Sequence, residues 1–197
     1  MINNVLRSLL IKDFSISSSL SIFQKVLLII FFNILLILAS QVKIYLPFLP
    51  VPFTLQTLVI LLIGGILGHV YGTLAVVLYV IEGALGLPVF ANFSDLSKVS
   101  YTLGYILGFI PATFSFGLLL SYLIKHNKIN LFNLFIASFI SVFWVFLFGL
   151  SWIFYLTNNI YLTLFHGLFP FIITEFIKII ISSLIIKSLY NLKNLKK

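Results

Sequence analysis

Long apolar runs, cut by short polar or proline-bearing stretches, organise this chain. No Asp, Glu, Lys or Arg stands between residues 99 and 124, or between residues 129 and 174. A bilayer crossing takes about 20 apolar residues, so the first run is one crossing and the second is long enough for two. Six spans follow from the punctuation: 26–42, 53–68, 73–85, 103–124, 131–156 and 164–189. The first is bracketed by Lys25 and Lys43, whose stems can reach the two interfaces. The second and third are short and join near His69 to Gly72. Pro47, Pro50 and Pro52 stiffen the connection before the second span, because each fixes its own backbone and biases its predecessor away from helix. Gly86 and Pro88 stop the third, and Thr157 to Asn159 turn the chain after the fifth.

The pattern predicts an all-α integral membrane protein with six transmembrane helices in one bundle. Residues 25–190 form the membrane domain, 1–24 a cytoplasmic N-terminal segment retained as an anchor and not cleaved as a signal peptide, and 191–197 a basic cytoplasmic tail. An even number of spans puts both termini on one side. That side holds Arg7, Lys12, Lys25, Lys125, Lys128, Lys187, Lys193, Lys196 and Lys197, against Lys43 and Lys98 on the other. The basic excess assigns both termini to the cytoplasm. The proline-rich connection and the polar stretch 89–102 then lie outside, and the latter is the expected functional loop.

Composition agrees and narrows the function. Hydrophobic residues make up 61% and charged residues 8%, against roughly 25% charged in a soluble domain. Mean hydropathy is +1.22. The net charge of +8 is accounted for by topology and by anionic headgroups, and no basic stripe on a soluble fold points to nucleic acid. With no cysteine, disulfides and thiolate metal sites are excluded. His69, His126 and His166 have no metal-ligand spacing, and neither metal nor cofactor is expected. No phosphate loop is present. The four acids, Asp13, Glu82, Asp95 and Glu175, make no recognisable catalytic set with the histidines, so the chain does not read as an enzyme.

Chemistry concentrates in the last span. Glu175 and Lys178 are ionisable groups at membrane depth, where each costs about 2.5–3.5 kcal/mol on insertion scales. Three residues apart, they share a helical face and can touch. Such a pair either neutralises itself or lines a ligand site. Glu82 admits a structural or a functional role. Gln56 and Thr57 suit helix capping, interhelical contact or ligand contact, and Tyr101 and Tyr105 suit an interfacial belt or a pocket wall. Gly64, Gly68 and Gly72, like Gly104, Gly108 and Ala112, are spaced for close helix approach, within the bundle or toward a partner.

Taken in order, four motifs resemble one family. They are the run from Pro47 through Pro50 and Pro52 to Gln56 and Thr57; Gly86, Pro88, Phe90, Asn92 and Ser94; Gly104, Tyr105, Gly108 and Phe109; and Glu175 with Lys178. Together they resemble the BioY family, the biotin-binding S components of energy-coupling factor (ECF) transporters. The resemblance implies a six-helix membrane protein that captures biotin from outside. A transmembrane T component and two ATPase subunits would supply ATP hydrolysis. It also implies that Asn92, Glu175 and Lys178 contact the polar end of biotin, with Gln56 and Tyr105 beside them. Phe90 and Phe93 would cover the rings, and Lys98 would face the valerate. Glu175 stands where the family usually has aspartate, and the first span lacks the family's alanine strip. An S component for another small vitamin and a non-transporting membrane scaffold are the alternative readings.

Overall fold

The protein is described here from a computed structural model that covers residues 21–44, 49–97 and 101–194. Most of the N-terminal segment, Lys98 and the end of the basic tail fall outside those residues. Helix α1, Ile22–Gln41, starts at Ser21 in a reciprocal cap: the Gln24 N–H donates to the Ser21 hydroxyl at 3.3 Å and the Ser21 N–H to Gln24 Oε1 at 3.0 Å. That satisfies two N–H groups the first turn leaves over. Strand β1, Lys43–Ile44, pairs antiparallel with β2, Phe53–Thr54, across the proline-rich connection. The sequence pattern predicted a stiff extended stretch there, without a pairing partner.

Helix α2, Gln56–Ala84, is broken at Gly68, whose φ of 76° is accessible at little cost only without a Cβ. The limbs 56–67 and 69–84 lie side by side. A Cβ built on Gly72 would come within 3.0 Å of the Ile63 carbonyl, and the Gln56 Nε2 donates to the Tyr79 hydroxyl at 2.7 Å. Gly68 is thus the break itself and does not belong to a continuous small-residue strip. Helix α3, Leu103–Lys125, packs closely along both the first limb of α2 and helix α4, Leu131–Thr157. Cβ atoms on Gly104 and Gly108 would run into the α4 backbone, at 2.5 Å from the Phe148 carbonyl and 2.9 Å from the Trp144 carbonyl. On Gly64 one would meet the Thr113 carbonyl at 2.6 Å. These glycines serve packing inside the bundle.

The last span, predicted over 164–189, is broken near its start. Helix α5, Ile160–Gly167, is followed by a 3₁₀ turn at Phe169–Phe171 and then α6, Ile172–Asn194. Pro170 is the reason: it has no N–H to donate and its ring disfavours helix before it. Among the described residues five stretches are long and apolar enough to cross a membrane: Ile22–Gln41, Gln56–Ala84, Leu103–Lys125, Leu131–Thr157 and Ile160–Leu192. Two apolar clusters fill the bundle. One lies around Ile60, Tyr79, Phe90, Phe109 and Phe171, and the other around Phe116, Leu134, Ile179 and Ile186.

Candidate functional site

The first cluster is not closed. It contains a cavity of about 50 Å³ walled by Val51, Phe90, Ile106, Phe109, Phe146 and Phe171 and reached by Gln56, Thr57, Tyr105, Glu175 and Lys178. Each wall has a local cause. The break at Pro170 leaves the Gly167 carbonyl free, and the Tyr105 hydroxyl donates to it at 2.8 Å, fixing the ring against Phe171 at a centroid distance of 6.3 Å. Phe171 in turn packs on Phe53 in a tilted pair with centroids 4.7 Å apart. A Cβ on Gly83 would lie only 2.1 Å from the edge of the Phe90 ring, which meets Tyr79 edge-on at 5.0 Å.

Glu175 and Lys178 occupy the first turns of α6 at relative exposures of 6% and 8%. Their pairing is direct: Lys178 Nζ donates to Glu175 Oε1 at 2.6 Å and to Thr57 Oγ1 at 2.9 Å, while the Thr57 hydroxyl lies 3.0 Å from the same carboxylate oxygen. Everything converges on Oε1. Glu175 Oε2 is buried and has no hydrogen-bond partner among the described residues. A carboxylate accepts several hydrogen bonds and an ammonium donates three, so the pair has both an acceptor and a donor to spare. A self-neutralising pair would leave less unsatisfied, because an unmade bond to a buried charge is costly.

Four of the five residues expected at the site, Gln56, Tyr105, Glu175 and Lys178, are therefore brought together. Asn92 is exposed in the 3₁₀ turn Ala91–Phe93, next to Ala91, which does reach the cavity. Phe90 is 1% exposed and Phe93 67% exposed, so only the first covers the cavity. Tyr101 is exposed, as a belt residue would be. Glu82 accepts from Asn33 Nδ2 at 3.0 Å, joining α1 to α2. Lys98, expected to face a ligand carboxylate, lies outside the described residues. Sequence reasoning missed Phe146 and Phe171 in the cavity wall, and Tyr79 behind it, bonded to Gln56; all three look like ordinary core aromatics along the chain. The Asn33 and Glu82 contact was open to prediction, since two polar groups in neighbouring apolar spans have reason to seek each other.

A second, apolar groove of about 520 Å³ between α4 and α6 shares Phe146 and Glu175 with the cavity. Those two side chains separate the polar site from the outer apolar surface.

Helices long and apolar enough to cross a membrane, packed around a buried and incompletely satisfied polar site, define a membrane protein with polar chemistry in its interior. Comparison with known proteins makes this specific. The BioY family model matches residues 12–194, and the chain belongs to that family. It is 36% identical over 157 residues to the biotin transporter BioY of Thermotoga maritima, covering 78% of this chain and 88% of that protein. The probable biotin transporter BioY of Pyrococcus horikoshii is 35% identical over 133 residues, 66% of this chain and 74% of that protein. The crystal structure of the S-component for biotin from an ECF-type ABC transporter superposes with a TM-score of 0.76 at 26% identity, covering 88% of this chain and 95% of that one.

Proposed function

We propose that this chain captures biotin as the substrate-specific S component of an ECF-type transporter in the cell membrane. A transmembrane T component and two ATPase subunits would drive release into the cell. The observation that carries the reading is the unpartnered Glu175 Oε2 beside Lys178 in an apolar-walled cavity, in a member of the BioY family. Biotin's ureido ring has two N–H donors and one carbonyl. Glu175 Oε2 accepts an N–H, and the third N–H of Lys178 donates to the carbonyl. Phe90, Phe109, Phe146 and Phe171 cover the bicyclic rings, and the valerate extends past Ala91 toward Asn92. A cavity of about 50 Å³ holds only a few waters, so the ligand enters by displacing part of its wall.

The topology we propose has six spans with both termini cytoplasmic. It is supported by the side-by-side limbs of α2 and by the basic residues, nine on one side and two on the other. Residues 25–190 are the membrane domain, with the short segments 1–24 and 191–197 on the cytoplasmic face. The test of function is calorimetric titration of biotin into the purified, detergent-solubilised chain, with an analogue lacking the ureido group as control. One-to-one binding of biotin and none of the control is the expected result. No binding to folded protein would point to another vitamin or to a scaffold.

A further inference from the structure

The end of α1 holds the cavity wall through a side chain that the family motifs do not include. Gln41 Nε2 donates to the Phe90 carbonyl at 2.8 Å, and Gln41 Oε1 accepts from the Phe93 N–H at 3.4 Å. One amide thus bridges both ends of the turn that carries Ala91 and Asn92. Neighbours hold the amide in place. Ser40 Oγ accepts from Gln41 Nε2 at 2.8 Å and donates to the Val89 carbonyl at 2.9 Å, and Lys43 Nζ reaches Gln41 Oε1 at 3.4 Å and lies 5.8 Å from the Phe93 ring centroid. The turn needs holding. Asn92 and Phe93 are consecutive residues with positive φ, 63° and 51°, a conformation that non-glycine residues keep only when their surroundings impose it. Inside the turn, the Phe90 N–H donates to the Ser94 carbonyl at 3.0 Å and the Ser94 hydroxyl to the Ala91 carbonyl at 2.7 Å, but these bonds are local and Gln41 is the side chain that ties both ends of the turn to α1.

We infer that Gln41 is a positioning residue for ligand capture. It clamps residues 90–93 in the strained turn and so keeps Phe90 and Ala91 closed over the cavity, without touching the ligand itself. The inference rests on the biotin reading for its ligand arm only. Gln41→Met keeps length and removes both hydrogen bonds, each worth a small multiple in an equilibrium constant. Biotin release is expected to speed up roughly tenfold, with the association rate within about threefold of the original. Gln41→Glu keeps the acceptor for Phe93 but sets a carboxylate oxygen, which cannot donate, against the Phe90 carbonyl, and release is expected to speed up at least as much as in Gln41→Met. Hydrogen–deuterium exchange of the ligand-free proteins supplies the second readout. Amides of residues 90–96 should exchange several-fold faster in Gln41→Met, with α4 amides unchanged. Unchanged exchange across 90–96 in folded Gln41→Met overturns the clamp, as does an unchanged release rate. If the unaltered chain binds no biotin, the biotin reading fails while the exchange comparison still decides the clamp.

Discussion

Where α4 faces the middle of α6, Ser138 and Ser182 meet at 3.4 Å, and Ser115 reaches Ser141 at 3.2 Å from α3. Near the start of α6, Glu175 and Lys178 are hydrogen-bonded to Thr57 at the edge of the cavity. Both zones are buried and polar, yet their accounts differ. Ser182, Ser183 and Ser141 each donate to a carbonyl of their own helix, at 2.9, 2.8 and 2.8 Å, so their hydroxyl protons are placed before any neighbour arrives. Glu175 ends with an oxygen unaccounted for. Buried side-chain atoms without a partner among the described residues also include His69 Nδ1 and Thr113 Oγ1, but neither is a carboxylate and neither lines the cavity. Polarity settled within one helix is architecture; polarity with unused charged valence at a cavity wall is available for chemistry.

Breaking the cavity zone should have the largest effect. Lys178→Ala removes the partner of a buried carboxylate, a change that costs about 3–5 kcal/mol, and biotin affinity measured by calorimetry should fall at least about 100-fold. Glu175→Gln keeps the shape but removes the charge that strengthens its hydrogen bonds. A loss of roughly 10- to 50-fold is expected in the same titration. Affinity within threefold in both variants would remove this zone from ligand recognition.

Packing inside the bundle, in the serine zone and elsewhere away from the cavity, should respond in stability instead. Gly117→Val places side-chain atoms where a Cβ would already lie 2.5 Å from the His69 backbone nitrogen, and overpacking of this kind costs about 1–3 kcal/mol. Thermal unfolding in detergent should show a lowered Tm, with biotin affinity of the folded protein within about threefold. Ser182→Ala should have the smallest effect, about 0.6 kcal/mol, with unchanged affinity. A large affinity loss in Ser182→Ala would erase the distinction between the zones.

Much of this was legible along the chain, for physical reasons that stop at identifiable places. Apolar run length and punctuation mark the spans because a bilayer admits few alternatives to helix. Glu175 and Lys178 stand out because their cost at that depth demands compensation. Asparagine caps fix the starts of α4 and α5, where Asn130 and Asn159 accept from backbone N–H groups at 2.8 and 3.1 Å. The late start of α6 was written in Pro170, but hydrophobicity alone hides it, since proline sits among phenylalanines. The two-residue pairing of β1 with β2 depends on contacts across the proline-rich connection and has no periodic signal. Asn92 was chosen for its loop and its motif, whereas cavity lining depends on the left-handed turn that directs Phe90 inward and leaves Phe93 exposed.

The reversal at Gly68 bears on how the chain enters a membrane during synthesis. The first limb, residues 56–67, extends about 18 Å at 1.5 Å per residue, well short of a hydrocarbon core of about 30 Å. Neither limb carries a lysine or arginine, and His69, at the tip, is the one basic residue within 56–84. A translocon that orients segments by positive charge therefore has little to read in either limb alone. Lys25, 5.5 Å from the Tyr71 ring centroid, brings a cation to that tip from α1. On the proposed topology the two limbs insert as one paired unit, oriented by the helix made before them.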